Sequence, residues 1–462
     1  MIDHSDRMNN TYLPDEAPPI PKLLLYAFQQ ILVMFPATVA VALITGFPVS
    51  TTIFSCGLAT LCFILITRKK VPLFYGSSFA YISAISGLVT AQGHRTVGSV
   101  LPADAICTAQ SGIIASGLIS VLAGIIVKLS GTRFVEKLLP PQVTGAISIV
   151  IGLSLAANAM TDIAPSGTDD WLVWLVAMLT FLSTVLIATY CKSFAAQLPL
   201  LLGILIGCGS AAFVFWISGK ECNLFRSISD DVFASSLWKL GDGSVFALPS
   251  FTIPRFSMEA IIAIMPMAFV TIPESVAHMY QLDIYVNELA RKKGSPKSYK
   301  IKEMLGENLI GDGCSDIVCG LIGGPAGTSY GENMSAMLIS RVFSISVLVI
   351  ASVIAMILSC FTPLIKMIYC IPLAVIGGLE IYLFGAIAVQ GIAILIQNRC
   401  DIFSTQNVAV IASILIIGLG GSYAYNGTIL FLGTSIPAIA GSAIFGIILN
   451  LLLNISQLKS KK

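Results

Sequence analysis

Charge is what this sequence has least of. Among its 462 residues, 26 are Lys or Arg and 24 are Asp or Glu, 11% in all, whereas a soluble domain carries roughly 25%. That shortage excludes a water-soluble domain, and the net charge of +2 gives no reason to expect a nucleic-acid partner. Histidine is scarcer still, with three in the chain and no His-Glu-x-x-His stretch, which argues against a metal-dependent hydrolase embedded in lipid. No C-x-x-C spacing occurs. Most of the eleven cysteines sit inside apolar runs and read as reduced small hydrophobes. No catalytic residue, metal or cofactor is therefore expected. The start of the chain, "MIDHSDRMNNTYLPDEAPPI", lacks the cationic and apolar regions of a signal peptide and reads as a disordered tail over residues 1–21.

What is abundant is apolar sequence. Hydrophobic residues make up 56% of the chain, with a mean hydropathy of +0.89, and runs of about 20 residues suit a bilayer-crossing helix. They recur near 22–46, 48–67, 72–92, 106–129, 138–158, 170–190, 196–219, 258–280, 308–322, 326–340, 342–362, 370–395, 406–422 and 428–453. The expected fold is thus an all-α polytopic membrane protein with about fourteen transmembrane segments. Twenty of the 26 Lys and Arg residues fall on the side that holds the amino terminus. By the positive-inside bias both termini are cytoplasmic, in a cell membrane, with 220–257 an extracellular loop and 456–462 a cytoplasmic tail. The basic loop "NELARKKGSPKSYKIKE" reads as a topology determinant ahead of a lipid-binding patch.

Two short matches divide the chain. "LPPQVTGA" (139–146) aligns with "IPLAVIGG" (371–378), and "GSSFAYISA" (76–84) with "TSYGENMSA" (328–336). Seven spans followed by seven place the second copy upside down, the inverted repeat of a secondary transporter. Segments 3 and 10, "VPLFYGSS" and "GGPAGTSYG" at their starts, break at Gly and Pro before turning helical. Each is read as a short strand plus a half-helix, a backbone tolerated at membrane depth only where protein or a polar cavity satisfies its amides. Two helix amino termini then face one space and favour electronegative groups. Glu332 lies at the start of one of them.

"YGSSFAYIS", "PESVAHM", "GGPAGTSYGENMSAMLISRVFS" and "IPLAVIGGLEIYLFG" resemble the corresponding segments of the nucleobase/ascorbate transporters, in their bacterial uracil permease branch, over about residues 22–455. The resemblance implies a proton-coupled symporter that imports a nucleobase by alternating access: uracil first, xanthine or another purine as the alternative, with an anion transporter or channel less favoured because Glu332 opposes an anion. It implies a core domain (22–129 and 258–362) moving against a gate domain (130–219 and 370–455). Carried over by position, the base contacts Glu274, Glu332, the backbone at Phe79 and Gly331, and the Tyr330 side chain, while Glu274 and His278 couple protons. A homodimer is left open.

The sequence also departs from that pattern, with Gln30, Ser275, Ser335 and Ser340 at positions where relatives carry other residues. The largest departure is Glu380, a third acid expected to face the substrate from the gate side. Asn333 is expected to cap the half-helix or brace the partner strand, Arg341 to be a snorkelling anchor, and Asp312 and Asp316 to be interfacial.

Overall fold

The computed structural model describes residues 11–94, 100–131, 138–163, 171–191, 195, 198–225, 245–425, 427–431 and 434–460. In chain order these form α1 (Ile20–Thr45), α2 (Val49–Ile66), β1 (Tyr75–Ser77), a 3-10 turn (Phe79–Tyr81), α3 (Ile82–Ala91), α4 (Ala103–Ser130), α5 (Pro141–Ser154), α6 (Ala156–Ile163), α7 (Trp171–Tyr190) and α8 (Pro199–Ser218). The second half holds α9 (Met258–Ile264), α10 (Ala268–Lys293), α11 (Leu305–Ile322), β2 (Gly327–Ser329), α12 (Gly331–Ser340), α13 (Ile345–Ser359), α14 (Thr362–Tyr369), α15 (Leu373–Gln397), α16 (Thr405–Ala424), β3 (Thr428–Phe431), β4 (Thr434–Pro437) and α17 (Ala438–Ser460). Among the described residues, nine helices are long and apolar enough to cross a bilayer, and three further apolar helices are shorter. The protein is an all-α polytopic membrane protein with little sheet.

Small residues let these helices approach closely, as expected where lipid gives no hydrophobic drive between them. A Cβ on Gly117 of α4 would stand 2.5 Å from the Gly313 carbonyl of α11, and one on Gly152 of α5 2.5 Å from the Phe384 carbonyl of α15. Around these contacts the helices sort into two groups. In one, α4 packs on α11 and α9, and α2 packs on α11 and α13, with α1 against α13. In the other, α15 gathers α5, α6 and α7, while α16 packs on α5 and α17, and α8 on α7. Between the groups, α10 touches α5 and α17, and α1 touches α8.

Three differences from the sequence reading have local causes. The segment from 11 to 19 is docked and ordered. Its Tyr12 bridges to Val342, the Tyr12 N–H donates to the Arg341 carbonyl at 3.1 Å, and the Phe343 N–H donates to Tyr12 at 2.8 Å. Lys293 reaches Glu16 at 2.6 Å, and Lys297 pairs with Asp15. The Lys297 ammonium and the Tyr299 hydroxyl hold the Asp15 carboxyl below its ordinary value. Arg341, read as an anchor, is the left-handed cap of α12 with φ 61°. That conformation disfavours a side chain, and the docked segment fixes it. Second, the run at 428–453 opens with the hairpin β3–β4 before its helix begins, and that helix continues to Ser460 through most of the expected tail. Third, residues 362–369, between two expected spans, form α14. Its Tyr369 hydroxyl accepts from the Val49 N–H at 3.0 Å and so satisfies a free amide at the start of α2.

Candidate substrate site

The centre of the bundle is built on two three-residue strands. β1 and β2 pair antiparallel with Tyr75 opposite Ser329, Gly76 opposite Thr328 and Ser77 opposite Gly327. Backbone bonds close both ends, from Tyr330 N to Phe74 O at 2.8 Å and from Ser78 N to Ala326 O at 3.0 Å. The outer edge of β1 would be unpaired, but Thr60 serves it. The Tyr75 N–H donates to the Thr60 hydroxyl at 3.0 Å, whose one proton is shared between the Cys56 carbonyl at 2.8 Å and the Tyr75 carbonyl at 3.1 Å. Asp316 does the same for β2, accepting from the Gly327 N–H at 2.8 Å and from the Tyr75 hydroxyl at 2.5 Å. Its carboxylate therefore ties both strands to α11. Asp316 and Asp312 are 2% and 6% exposed, so the interfacial expectation is wrong for both. Asp312 accepts from the Ser275 hydroxyl of α10 and, within α11, from Asn308 Nδ2 at 3.3 Å, and Asn308 Nδ2 also donates to Ser275 Oγ at 2.8 Å, so the trio links α11 to α10.

Glycine is required at the strand crossing because the chains touch there. A Cβ on Gly327 would lie 2.2 Å from the Gly76 carbonyl oxygen, and one on Gly76 would lie 2.3 Å from the Tyr330 ring. Both are impossible separations, and the first is against backbone. Gly327→Ala is expected to part the strands and lower substrate affinity at least tenfold, since overpacking of this kind costs about 1–3 kcal/mol. Equilibrium binding to purified, folded variant checks this.

Beyond the strands each chain turns helical. The 3-10 turn at Phe79 is capped by Ser78, whose Oγ accepts from Ala80 N at 3.2 Å. α12 begins at Gly331 with no side-chain cap, so its first N–H groups face the cavity as donors. Ser77, Ser78, Phe79, Glu274, His278, Ser329, Tyr330, Gly331, Glu332 and Gln390 line this cavity, with Ile151 and Ile387 as apolar walls. The edge of Phe79 packs on Phe384 of α15, ring centres 5.7 Å apart. The structure thus brings Glu274, His278, Glu332, Phe79, Gly331 and Tyr330 together. Glu274 has a buried oxygen, Oε2, that meets no donor among the described residues.

The roles within the cavity differ in detail from the sequence reading. The Tyr330 hydroxyl is spent on structure, donating to the Ser77 carbonyl at 2.9 Å and meeting the Thr38 hydroxyl at 3.0 Å. His278 Nδ1 lies 3.2 Å from Ser329 Oγ, and its Nε2 lies 3.5 Å from Gln390 Nε2. The imidazole is thus wedged between β2 and α15. Asn333 neither caps nor braces a strand. Its Nδ2 donates to the backbone and side-chain oxygens of Gln30 at 2.9 and 2.8 Å, tying α12 to α1. Gln390 was missed. Its only sequence signal is a lone amide in the apolar run "AIAVQGIAIL".

Glu380 lies elsewhere. It is seven residues before Ile387, about 10 Å along α15 at 1.5 Å per residue, and it borders an apolar gap with Val39, Leu43 and Ile204. Gly331, Glu332, Ile387 and Gln390 also line a larger cleft of ≈ 390 Å³, which runs past Gln281 and Tyr285 of α10 to Gln397 at the end of α15. The small cavity and the cleft therefore share Gly331, Glu332, Ile387 and Gln390 as common walls.

Paired strands between facing half-helices, deep among apolar helices and bordered by a larger cleft, define a membrane transporter. The chain belongs to the nucleobase/ascorbate transporters: the model of that Permease family matches residues 21–427. It is a transporter and not an enzyme. It is 33% identical over 449 residues to the uracil permease of Bacillus caldolyticus, covering 95% of this chain and 93% of that one. Identity to the uracil permease of Bacillus subtilis (strain 168) is 32% over 440 residues, 93% of this chain and 92% of that one. Among solved structures, the transmembrane domain of the cyanobacterium bicarbonate transporter BicA shares the fold at a TM-score of 0.60 and 14% identity, over 95% of this chain and 99% of that one. SLC26A9 does so at 0.65 and 11%, over 95% of this chain and 66% of that longer one.

Proposed function

We propose that this chain is a proton-coupled symporter that imports uracil, with the base bound edge-on between Glu274 and Glu332. The observation that carries the reading is the placement of both carboxyls on one small cavity beside the uncapped start of α12. Uracil is planar, with two N–H donors and two carbonyl acceptors along its edge. Carboxylates accept from the N–H groups, and the backbone amides at Phe79 and Gly331 donate to the carbonyls, so the polar edge is satisfied in full. Phe79, Phe384 and the isoleucines cover the ring faces. Tyr330 holds the strand crossing in this reading, and Gln390 extends the polar wall. Glu274 is the proton carrier and His278 its helix neighbour at i+4. A bare charge at this depth costs about 2.5–3.5 kcal/mol on insertion scales, so proton binding and base binding are linked.

The names of the similar permeases support uracil, and so does Glu380. That acid opened the purine alternative, and it lies outside the cavity. The two packing groups support a core domain (22–129 and 258–362) that moves against a gate domain (130–219 and 370–455). Fourteen spans follow if α11, α12 and the three shorter apolar helices are counted with the nine long ones. The pairing of Gly76 with Thr328, which the internal repeat also aligns, supports two inverted halves of seven spans. With both termini cytoplasmic, the cleft opens inward, and the conformation is the inward-facing one.

The test is competition against labelled uracil in proteoliposomes. Unlabelled uracil should displace the label, whereas xanthine, hypoxanthine and uric acid in tenfold excess should not. Displacement by xanthine as effective as by uracil overturns the assignment.

A further inference from the structure

Three elements converge on one nitrogen at the start of α12. His278 of α10 is 3% exposed, and its Nε2 lies 3.5 Å from Gln390 Nε2 of α15. A Cβ on Gly331 would stand 3.1 Å from that histidine nitrogen and 3.6 Å from that amide nitrogen, so a side chain at this position would crowd the pair. On the other side of the ring, His278 Nδ1 lies 3.2 Å from Ser329 Oγ of β2.

These partners decide where the imidazole proton sits. An amide nitrogen donates and does not accept, so His278 Nε2 must be the acceptor in its contact with Gln390. The one proton of the neutral ring then lies on Nδ1 and is donated to Ser329 Oγ. At 3.5 Å the bond to Gln390 is at the long end of the range, so it directs the ring more than it strengthens the fold. The acids that line the same cavity are Glu274 on α10 and Glu332 on α12. Among the described residues, β2, α5 and α15 bring no titratable side chain to it.

The contact also joins two helices that are otherwise held apart. One cleft, of ≈ 390 Å³, is lined by Gln281 and Tyr285 of α10 and by Ala393 and Gln397 of α15. A second, of ≈ 410 Å³, is lined by Tyr280 and Ile284 of α10 and by Ile394 and Asn398 of α15. Open space thus separates the later turns of both helices, and movement of α15 against α10 would break the Gln390–His278 contact.

We propose that Gln390 is a positioning residue for transport, which from α15 caps His278 Nε2, holds the ring in its Nδ1–H form and so ties protonation of the ring to the position of α15. While α15 stands as it does here, the free lone pair of the imidazole is covered and Nδ1 already has its proton, so the ring takes up no second one. Movement of α15 uncovers Nε2. The link to transport rests on the reading of this cavity as the substrate site, whereas the tautomer follows from the geometry whatever the substrate is.

The test is the nitrogen magnetic-resonance spectrum of protein with isotope-labelled histidine rings, in lipid bilayers and without substrate. The chain has three histidines, and subtracting the spectrum of His278→Gln isolates the one in question. Protonated and bare ring nitrogens resonate far apart, and the parent should show Nδ1 protonated and Nε2 bare. Gln390→Leu removes the donor, so both tautomers should appear. Gln390→Glu puts an acceptor in its place, so the proton should pass to Nε2. Either variant carries the test if the other does not fold. In proteoliposomes, proton-driven accumulation relative to counterflow should fall roughly threefold or more in Gln390→Leu, the loss of one neutral hydrogen bond. A proton on Nε2 in the parent, or variant spectra that match the parent's, overturns the proposal. So does a changed tautomer with an unchanged ratio of accumulation to counterflow, because Gln390 then orients the ring without bearing on transport. Failure to take up uracil at all strikes the substrate assignment instead, and the spectra alone then decide on Gln390.

Discussion

Replacing Glu332 with Gln is expected to weaken uracil binding by about one to two orders of magnitude. The substitution keeps the shape of the side chain and turns one acceptor oxygen into a donor that faces the donors of the base. One buried polar contact left unmade costs roughly 1–3 kcal/mol. Glu332 lines both the inner cavity and the cleft, so water reaches it in the empty state. The variant should therefore fold normally and lose affinity alone. Isothermal titration of uracil into the purified variant checks this, with the thermal midpoint as the control. Unchanged affinity in a folded variant removes Glu332 from the site.

Glu274→Gln separates the two functions of the site. The amide can still turn its oxygen toward a base N–H, but it cannot release a proton. Accumulation driven by a proton gradient should fall to about the equilibrium ratio, while counterflow persists within roughly tenfold of the parent, the cost of a weaker neutral hydrogen bond. His278→Ala bears on the same question. The imidazole lies against Ser329 and Gln390, so its loss should loosen β2 and weaken binding as well as coupling. Loss of counterflow together with accumulation in Glu274→Gln would make Glu274 a binding residue only.

Much of the site was legible because membrane sequences punish irregularity. Breaks such as "VPLFYGSS" and "GGPAGTSYG" have no place in a lipid-facing helix; β1 and β2 lie in these two stretches, and the acid directly after the second lines the small cavity. Other features left no such trace. The docking of residues 11–19 depends on Lys293 finding Glu16 and Lys297 finding Asp15, partners far apart in the chain and ordinary in themselves. Asp312 and Asp316 looked interfacial because the donors that allow their burial come from α10 and from both strands. Glu380 is expected at the site only through the family resemblance, which has that position face the substrate from the gate side. Its direction is set by Gly377, which brings that helix onto α6, and no periodicity reveals where such a contact falls. Gln390, on the same helix and about 15 Å further along it, reaches the cavity instead.

The most direct test of the central claim is uptake of labelled uracil by purified protein in liposomes under an imposed inward proton gradient. The account predicts accumulation above the equilibrium level, abolished by a protonophore and absent from Glu274→Gln vesicles that still exchange uracil. Uptake that stops at equilibrium with or without the gradient, or a failure to take up uracil at all, would contradict it.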